Sequence, residues 1–231
     1  VLPHRLYKWL RLPVVSYALP ALIAIGQAHY AHRQPYNPVS RVVRHLSRER
    51  SLTVLAGLQP RNGGFLEAAP LTSFVVMSLA ASGRGDHEVV SKGVEFLTVS
   101  IRADGSWPID TNLATWVTTL SINALTHCGV RRADGGLEEI GSVRSSLAEW
   151  LLSCQHREIH PYTHAEPGGW AWSNLPGAVP DADDTAGALL ALRNLSRHEN
   201  ESAIRHSPSV IAAVSAGIGW LLGLQNSDGG I

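Results

Sequence analysis

Leu58-Gln59-Pro60-Arg61-Asn62-Gly63-Gly64-Phe65 decides the fold, because the chain repeats it. The stretch returns as Ser100-Ile101-Arg102-Ala103-Asp104-Gly105-Ser106-Trp107 and as Leu224-Gln225-Asn226-Ser227-Asp228-Gly229-Gly230-Ile231. A stretched copy runs from Gln155 to Gly168-Gly169-Trp170. Each copy closes an apolar helical run, turns through Asn/Asp-Gly, and sets a large apolar side chain after the turn. Asn-Gly and Asp-Gly accept positive φ, so they stop a helix and reverse the chain.

A second apolar helix is predicted after the turns. Thr72 opens one over 73–81, Thr111 another over 112–120, and Thr185 a third over 186–192. These inner helices are nearly apolar all round and are expected to be buried. The outer helices, over 89–98, 145–154 and 210–224, read as more amphipathic. Inner and outer helices in repeated pairs make an all-α chain, an (α/α) barrel or toroid. Few segments alternate with a period of two, so a strand-based fold does not fit. The expected division is residues 1–100, an apolar membrane-associated segment and the end of one α-barrel, and residues 101–231, part of a second α-barrel.

Composition narrows the function. The chain has 231 residues, 45% of them hydrophobic and only 16% charged, with a net charge of zero. No basic surface argues for nucleic acid. Lysine occurs only at Lys8 and Lys92, and seven Trp stand against three Phe. Cys128 and Cys154 sit in apolar helical contexts and read as reduced core residues. Asn194-Leu195-Ser196 and Asn200-Glu201-Ser202 match the glycosylation sequon, though nothing else suggests secretion. The uncharged stretch 12–25 carries two prolines and is too short to span a bilayer comfortably. It reads either as a buried core helix or as a segment dipping into a membrane surface, with Tyr7, Lys8, Trp9 and Arg11 at headgroup level. The chain begins at Val1 and stops inside a repeat turn, which reads as a fragment of a longer protein. No P-loop, dinucleotide glycine pattern or Ser-His-Asp arrangement is present.

Asp181-Ala182-Asp183-Asp184-Thr185 puts three carboxylates within four residues, just before an apolar helix. An Asp run there is ordinarily a solvated cap on the helix N-terminus. Shielded from water, the same cluster repels itself, and one member keeps its proton near neutral pH as a strong acid. Aligning the three threonines sets Asp184 opposite Asp110 and Leu71, and Asp183 opposite Ile109 and Pro70. Only one repeat then carries the acidic pair, so the cluster reads as catalytic. The indoles of Trp170 and Trp172 lie just upstream, suited to sheltering a carbocation. His156, His160 and His164 have chelating spacing, but Pro161 interrupts a helix there, and they read as a surface or loop cluster.

The chain resembles the class II triterpene cyclases, specifically the squalene–hopene cyclases. Asp181-Ala182-Asp183-Asp184-Thr185-Ala186 is similar to that family's DxDDTA motif, and the Gln…Asp-Gly-Gly turns resemble its QW repeats. The resemblance implies paired (α/α) barrels around an apolar cavity, monotopic membrane attachment on the cytoplasmic side, and no metal or cofactor. It implies a squalene-like polyprene as substrate, Asp183 as proton donor, and Asp181 and Asp184 orienting and polarising it. Trp172 stands where family members carry a cation-stabilising aromatic, flanked by Trp170. Asp110-Thr111 resembles a second Asp-Thr pair, with Ile109 where a Trp is common. Ile101 replaces a repeat Gln, and Phe65 and Ile231 replace Trp. The histidine that assists the central Asp would lie beyond Ile231, and a second copy of the chain is a candidate partner.

Three other readings share features of this sequence. A class II diterpene cyclase would use the same acid motif on geranylgeranyl diphosphate with Mg²⁺. A protein prenyltransferase β subunit would need a zinc site of Asp, Cys and His, and no Asp-x-Cys pairing occurs. A non-catalytic α/α-toroid binding module would form no product from any polyprene.

Overall fold

The computed structural model describes residues 18–127, 137–161, 163–196, 204 and 206–231. Tyr7, Lys8, Trp9, Arg11, Cys128 and the Asn200 sequon lie outside them. Two compact units divide the chain at Thr111 and Asn112. The first holds α1 (Leu19–His32), α2 (Pro38–Leu58), α3 (Ala69–Ala81) and α4 (Glu88–Val99). The second holds α5 (Ala114–His127), α6 (Leu137–Ser153), α7 (Ala182–Leu195) and α8 (Pro208–Leu224). The fold class is all-α: no strand occurs among the described residues, only isolated bridges at Ala68–Asp110 and Trp170–Asp181.

Each unit is built from helices packed through the repeat turn. In the first, α3 packs on α1 and α4; in the second, α7 packs on α5, α6 and α8. Leu52, Leu55, Phe65, Val75, Leu79 and Val89 form the first core. Ala148, Leu151, Trp170, Ala188, Ala191 and Leu192 anchor the second. Cys154 is a free thiol buried in that core, and burial pushes its pKa up.

The turn works the same way in both units. Gln59 Nε2 donates to the Gly63 oxygen and to Val89 O, both at 3.0 Å, tying the turn to the first residues of α4. Gln155 Nε2 donates to Gly168 O at 2.8 Å and to Ala213 O, in α8, at 2.9 Å. Gly63 (φ +84°) and Gly168 (φ +126°) are forced twice over. Their backbone favours glycine, and a Cβ would lie 2.2 Å from Lys92 O at the first and 2.8 Å from Ala216 O at the second. Ile101 cannot make the glutamine's bonds. There the turn is closed by Asp104 Oδ1, which accepts from Ser106 N at 3.0 Å and from Ser106 Oγ at 2.7 Å.

Two expectations need correction. The inner helices are not buried all round: Phe74 and Met77 on α3, Trp116, Val117, Leu120 and Leu125 on α5, and Leu190 on α7 are about half exposed. Apolar composition alone does not say which faces find a neighbour. The outer helix α8 is apolar on most of its surface rather than amphipathic, with Ile211, Ile218, Leu222 and Leu224 exposed. Asn194 is 5% exposed within α7 and donates to Asn123 Oδ1 at 3.0 Å, so that sequon is no surface acceptor. Among the described residues, no helix is long and apolar enough to cross a membrane.

Candidate acid site at the start of helix α7

Trp170 and Trp172 carry the backbone contacts that seat the acidic cluster. Trp170 bridges Asp181 in antiparallel fashion, the Asp181 N–H donating to Trp170 O at 3.1 Å. Trp170 N–H donates to Thr185 Oγ1 at 2.9 Å. Its indole, fully buried, donates to Leu151 O at 2.7 Å. Two residues on, the Trp172 carbonyl accepts the N–H groups of Thr115 and Trp116, each at 3.1 Å. Those are orphan donors of the first turn of α5. One short extended segment thus joins the N-termini of α5 and α7.

Asp181 caps α7, its Oδ1 accepting the Asp184 N–H at 2.8 Å. The three carboxylates then part company. Asp184 is 6% exposed, with its Oδ1 buried and lacking any hydrogen-bond partner. Burial first, then the neighbouring charge and hydrogen bond of Asp181 and the charge of Asp183, push its pKa up to about 7. The like charges and the missing water outweigh the helix N-terminus, which on its own favours the ionised form. Asp183 is exposed and Asp181 half-buried.

The sheltered carboxyl in this chain is therefore Asp184, not Asp183. Helical geometry explains it. Asp184, Ala188, Ala191 and Leu195 recur on the buried face of α7, whereas Asp183, Ala186, Leu190 and Arg193 share the open face. Leu190 also lines an apolar hollow of about 620 Å³ between α7 and α8, with Leu189, Val210, Ile211, Val214 and Ile218. It sits about 10 Å from Asp183 along the helix axis.

Trp172 is half-buried, and its indole Nε1 is a buried donor without a partner, as is the hydroxyl of Thr115. Asp110 belongs to the first unit, bridged to Ala68, and burial raises its pKa. The alignment through Thr72 and Thr185 holds: Thr72 Oγ1 accepts Phe65 N–H at 3.0 Å, as Thr185 does Trp170 N–H. Thr111 does not share that position. Helix α5 starts at Ala114, capped by Asn112 Oδ1 at 2.7 Å, and Thr111 N–H donates instead to Glu67 O at 2.9 Å. The register that set Asp110 opposite Asp184 therefore does not survive.

Two buried residues escaped the sequence reading. Glu67 is fully buried at positive φ (56°), its carboxylate accepting from Asn62 Nδ2 at 2.8 and 2.9 Å and from Thr111 Oγ1 at 3.2 Å. His160 is 4% exposed, inside what reads in sequence as a surface or loop cluster. The histidines do lie on a loop, with the rings of His156 and His160 centred 5.5 Å apart. Burial, aided by the charge of His160, lowers the His156 pKa to about 4. Among the described residues no group of three or more His, Cys, Asp or Glu side chains is arranged to hold a metal ion.

Comparison with known proteins places this geometry in context. Residues 112–231 match the squalene-hopene cyclase C-terminal domain, a family of the α/α toroid fold. The sporulenol synthase of Bacillus subtilis is 31% identical over 180 residues, covering 74% of this chain and 25% of that protein. The squalene–hopene cyclase of Alicyclobacillus acidocaldarius is 28% identical over 188 residues, covering 78% of this chain and 28% of that protein. A terpene cyclase–glycosyl transferase fusion protein of Humicola fuscoatra is 29% identical over 201 residues, or 81% of this chain and 14% of its own length. The chain thus spans little more than a quarter, at most, of these relatives.

Proposed function

Because the chain belongs to the squalene-hopene cyclase C-terminal domain family, we propose that the full-length protein cyclises a squalene-like polyprene. The reaction starts when a carboxylic acid protonates the terminal alkene. The observation that carries this reading is the Asp181–Asp183–Asp184 cluster. One of its members, Asp184, is buried with its pKa pushed up to about 7, in a chain of this family.

The carboxylates divide the work. Asp183, on the open face of α7, is the group a substrate can reach, and it passes on the proton that the cluster holds. Asp184, buried beside Asp181 with its pKa pushed up to about 7, stores that proton and so limits the negative charge of the cluster. Asp181, fixed by its bond to the Asp184 N–H, holds the spacing of the pair. The π electrons of the alkene take the proton and leave a tertiary cation, which successive ring closures carry along the chain. Loss of a proton or capture of water ends the sequence, so neither an oxidant nor a cofactor enters the balance. Trp172 is assigned to stabilising the cation, and the fully buried Trp170 to seating the segment that carries it; a desolvated aromatic face contributes roughly 2 kcal/mol to that stabilisation. Apolar walls exclude water that would quench it.

An apolar substrate of this kind dissolves in membranes. Leu22 and Ile25 of α1 are exposed and line a hollow of about 580 Å³ that also includes Arg44 and Arg48 of α2. That combination of apolar and cationic groups supports a monotopic seat on the cytoplasmic membrane face. A homodimer belongs to the same proposal.

Incubation of the full-length protein with squalene or geranylgeranyl diphosphate, followed by mass spectrometry, tests the reading. Polycyclic isomers or hydrates of squalene, formed with EDTA present, support it. Product from the diphosphate alone, dependent on Mg²⁺, moves the assignment to a diterpene cyclase. No product from either substrate leaves a binding module.

A further inference from the structure

Two of the hydrogen bonds of the His160 ring fix its chemical form. Its Nδ1 accepts the Thr163 N–H at 3.2 Å, so that nitrogen carries no proton; the Thr163 hydroxyl, 3.2 Å from Nδ1, can donate to the same nitrogen. Its Nε2 lies 3.1 Å from the Ala178 carbonyl oxygen, which can only accept, so Nε2 carries the N–H. Burial lowers the pKa of the ring against the opposing pull of the Ala178 hydrogen bond, and the charge of His164 adds to the lowering, which favours the neutral imidazole.

Ala178 lies three residues before Asp181, and Ala178, Val179 and Pro180 are all buried. The chain turns at Ala178, whose N–H donates to Leu175 O at 3.2 Å, and next meets the core where Asp181 N–H reaches Trp170 O. Gly169 packs against this segment so tightly that a Cβ there would lie 3.0 Å from Pro180 Cβ. The loop bearing His160 is strapped to the same place, His156 N–H donating to Gly169 O at 2.9 Å and Gly168 N–H to His156 O at 2.8 Å. His160 is thus a side-chain tie between this loop and the lead-in to the acidic cluster.

We propose that His160 is a positioning residue for the acid site, holding Ala178 in place so that the 178–181 segment stays closed over Asp184. The tie acts through shape. An imidazole reaches Thr163 with one edge and Ala178 with the other, and neither amide side chain spans both. Asparagine keeps an acceptor near the Nδ1 position, whereas glutamine carries an amide N–H out to about the Nε2 position. The consequence for chemistry rests on the reading of Asp181–Asp184 as the acid; the placement of the segment does not.

The test is infrared titration of the protonated Asp184 carboxyl in the full-length protein, assigned by its loss in Asp184→Asn. In His160→Asn, water reaches the cluster and the Asp184 midpoint falls by about one pH unit or more. In His160→Gln, the Ala178 bond is restored and the midpoint stays within about 0.3 unit of wild type. Equal midpoints in both variants, whether unchanged or lowered together, overturn the proposal. Should neither variant fold, ¹⁵N-histidine spectra of the wild type decide: an Nε2–H tautomer for His160 supports it, and an Nδ1–H tautomer overturns it. None of these readouts needs substrate, so failure to cyclise any polyprene would leave the His160 result standing.

Discussion

Asp181 and Asp184 meet across the first turn of α7: the Asp181 carboxylate takes the Asp184 N–H at 2.8 Å, while the Asp184 Oδ1 is buried without a partner. A helix cap and an acid reservoir are therefore one structure. Asp181 satisfies the orphan N–H that any helix start presents. Its charge then acts at short range on the neighbour that the same turn buries.

Asp184 makes stability depend on pH in a defined window. Its folded pKa, about 7, lies above the ordinary carboxylate value of 3.8, so the folded chain binds more protons than the unfolded chain between these limits. Its contribution is fully present below about pH 4 and is lost as pH rises through 7. Asp184→Asn is expected to flatten the melting temperature over this range. Relative to wild type above pH 7, the substitution stabilises by on the order of 3 kcal/mol or less. Thermal melts of both proteins across the range check this; a parallel pH dependence contradicts it.

The glutamines of the repeat turns carry unequal weight. Gln155→Ala leaves Gly168 O and Ala213 O without their donor in a buried turn, a loss of about 2–4 kcal/mol. Gln59→Ala, which frees Gly63 O and Val89 O, falls in the same range. Gln225 makes its bond to Gly229 O in an exposed turn, and Gln225→Ala costs about 0.5 kcal/mol or less. Urea unfolding of the three variants gives the order.

Trp170 and Trp107 occupy the same place in their repeats. Trp170 Nε1 bonds Leu151 O, four residues before Gln155, and Trp107 Nε1 bonds Leu97 O at 2.8 Å, four before Ile101. Trp170→Phe keeps most of the apolar contact but loses a buried hydrogen bond, leaving Leu151 O only the Cys154 N–H at 3.2 Å, and costs about 1 kcal/mol. Trp107, 49% exposed, loses less on the same change, because water replaces its N–H. Differential scanning calorimetry separates the two.

Much of this was legible in the sequence, for identifiable reasons. Asn-Gly and Asp-Gly mark chain reversal through backbone sterics, which are local, so the repeat turns and the helices around them could be read directly. The Thr72–Thr185 register held because both hydroxyls do the same job. Thr111 misled because one threonine looks like another until its partner, here Glu67, is known. The shelter of Asp184 was present as the 184-188-191-195 spacing, whereas the resemblance pointed to Asp183 as the donor. His160 carried no such signal, since its partner Ala178 is eighteen residues away and offers only a carbonyl.

Trp172 should separate shape from charge in the full-length protein. Trp172→Phe keeps an aromatic face and is expected to retain cyclisation within roughly tenfold, whereas Trp172→Ala loses about 2 kcal/mol of cation stabilisation, some thirtyfold in rate. Initial rates with squalene decide. Equal rates for the two variants would remove Trp172 from the cation path.

The central claim is that a carboxylic proton of this cluster starts the reaction, and turnover of squalene in D₂O tests it most directly. Carboxyl protons exchange with solvent, so each polycyclic product molecule should carry a single deuterium at the carbon of the former terminal alkene. Asp183→Asn should give none of that product. Product free of deuterium, or labelled product from the Asp183 variant, would contradict the account.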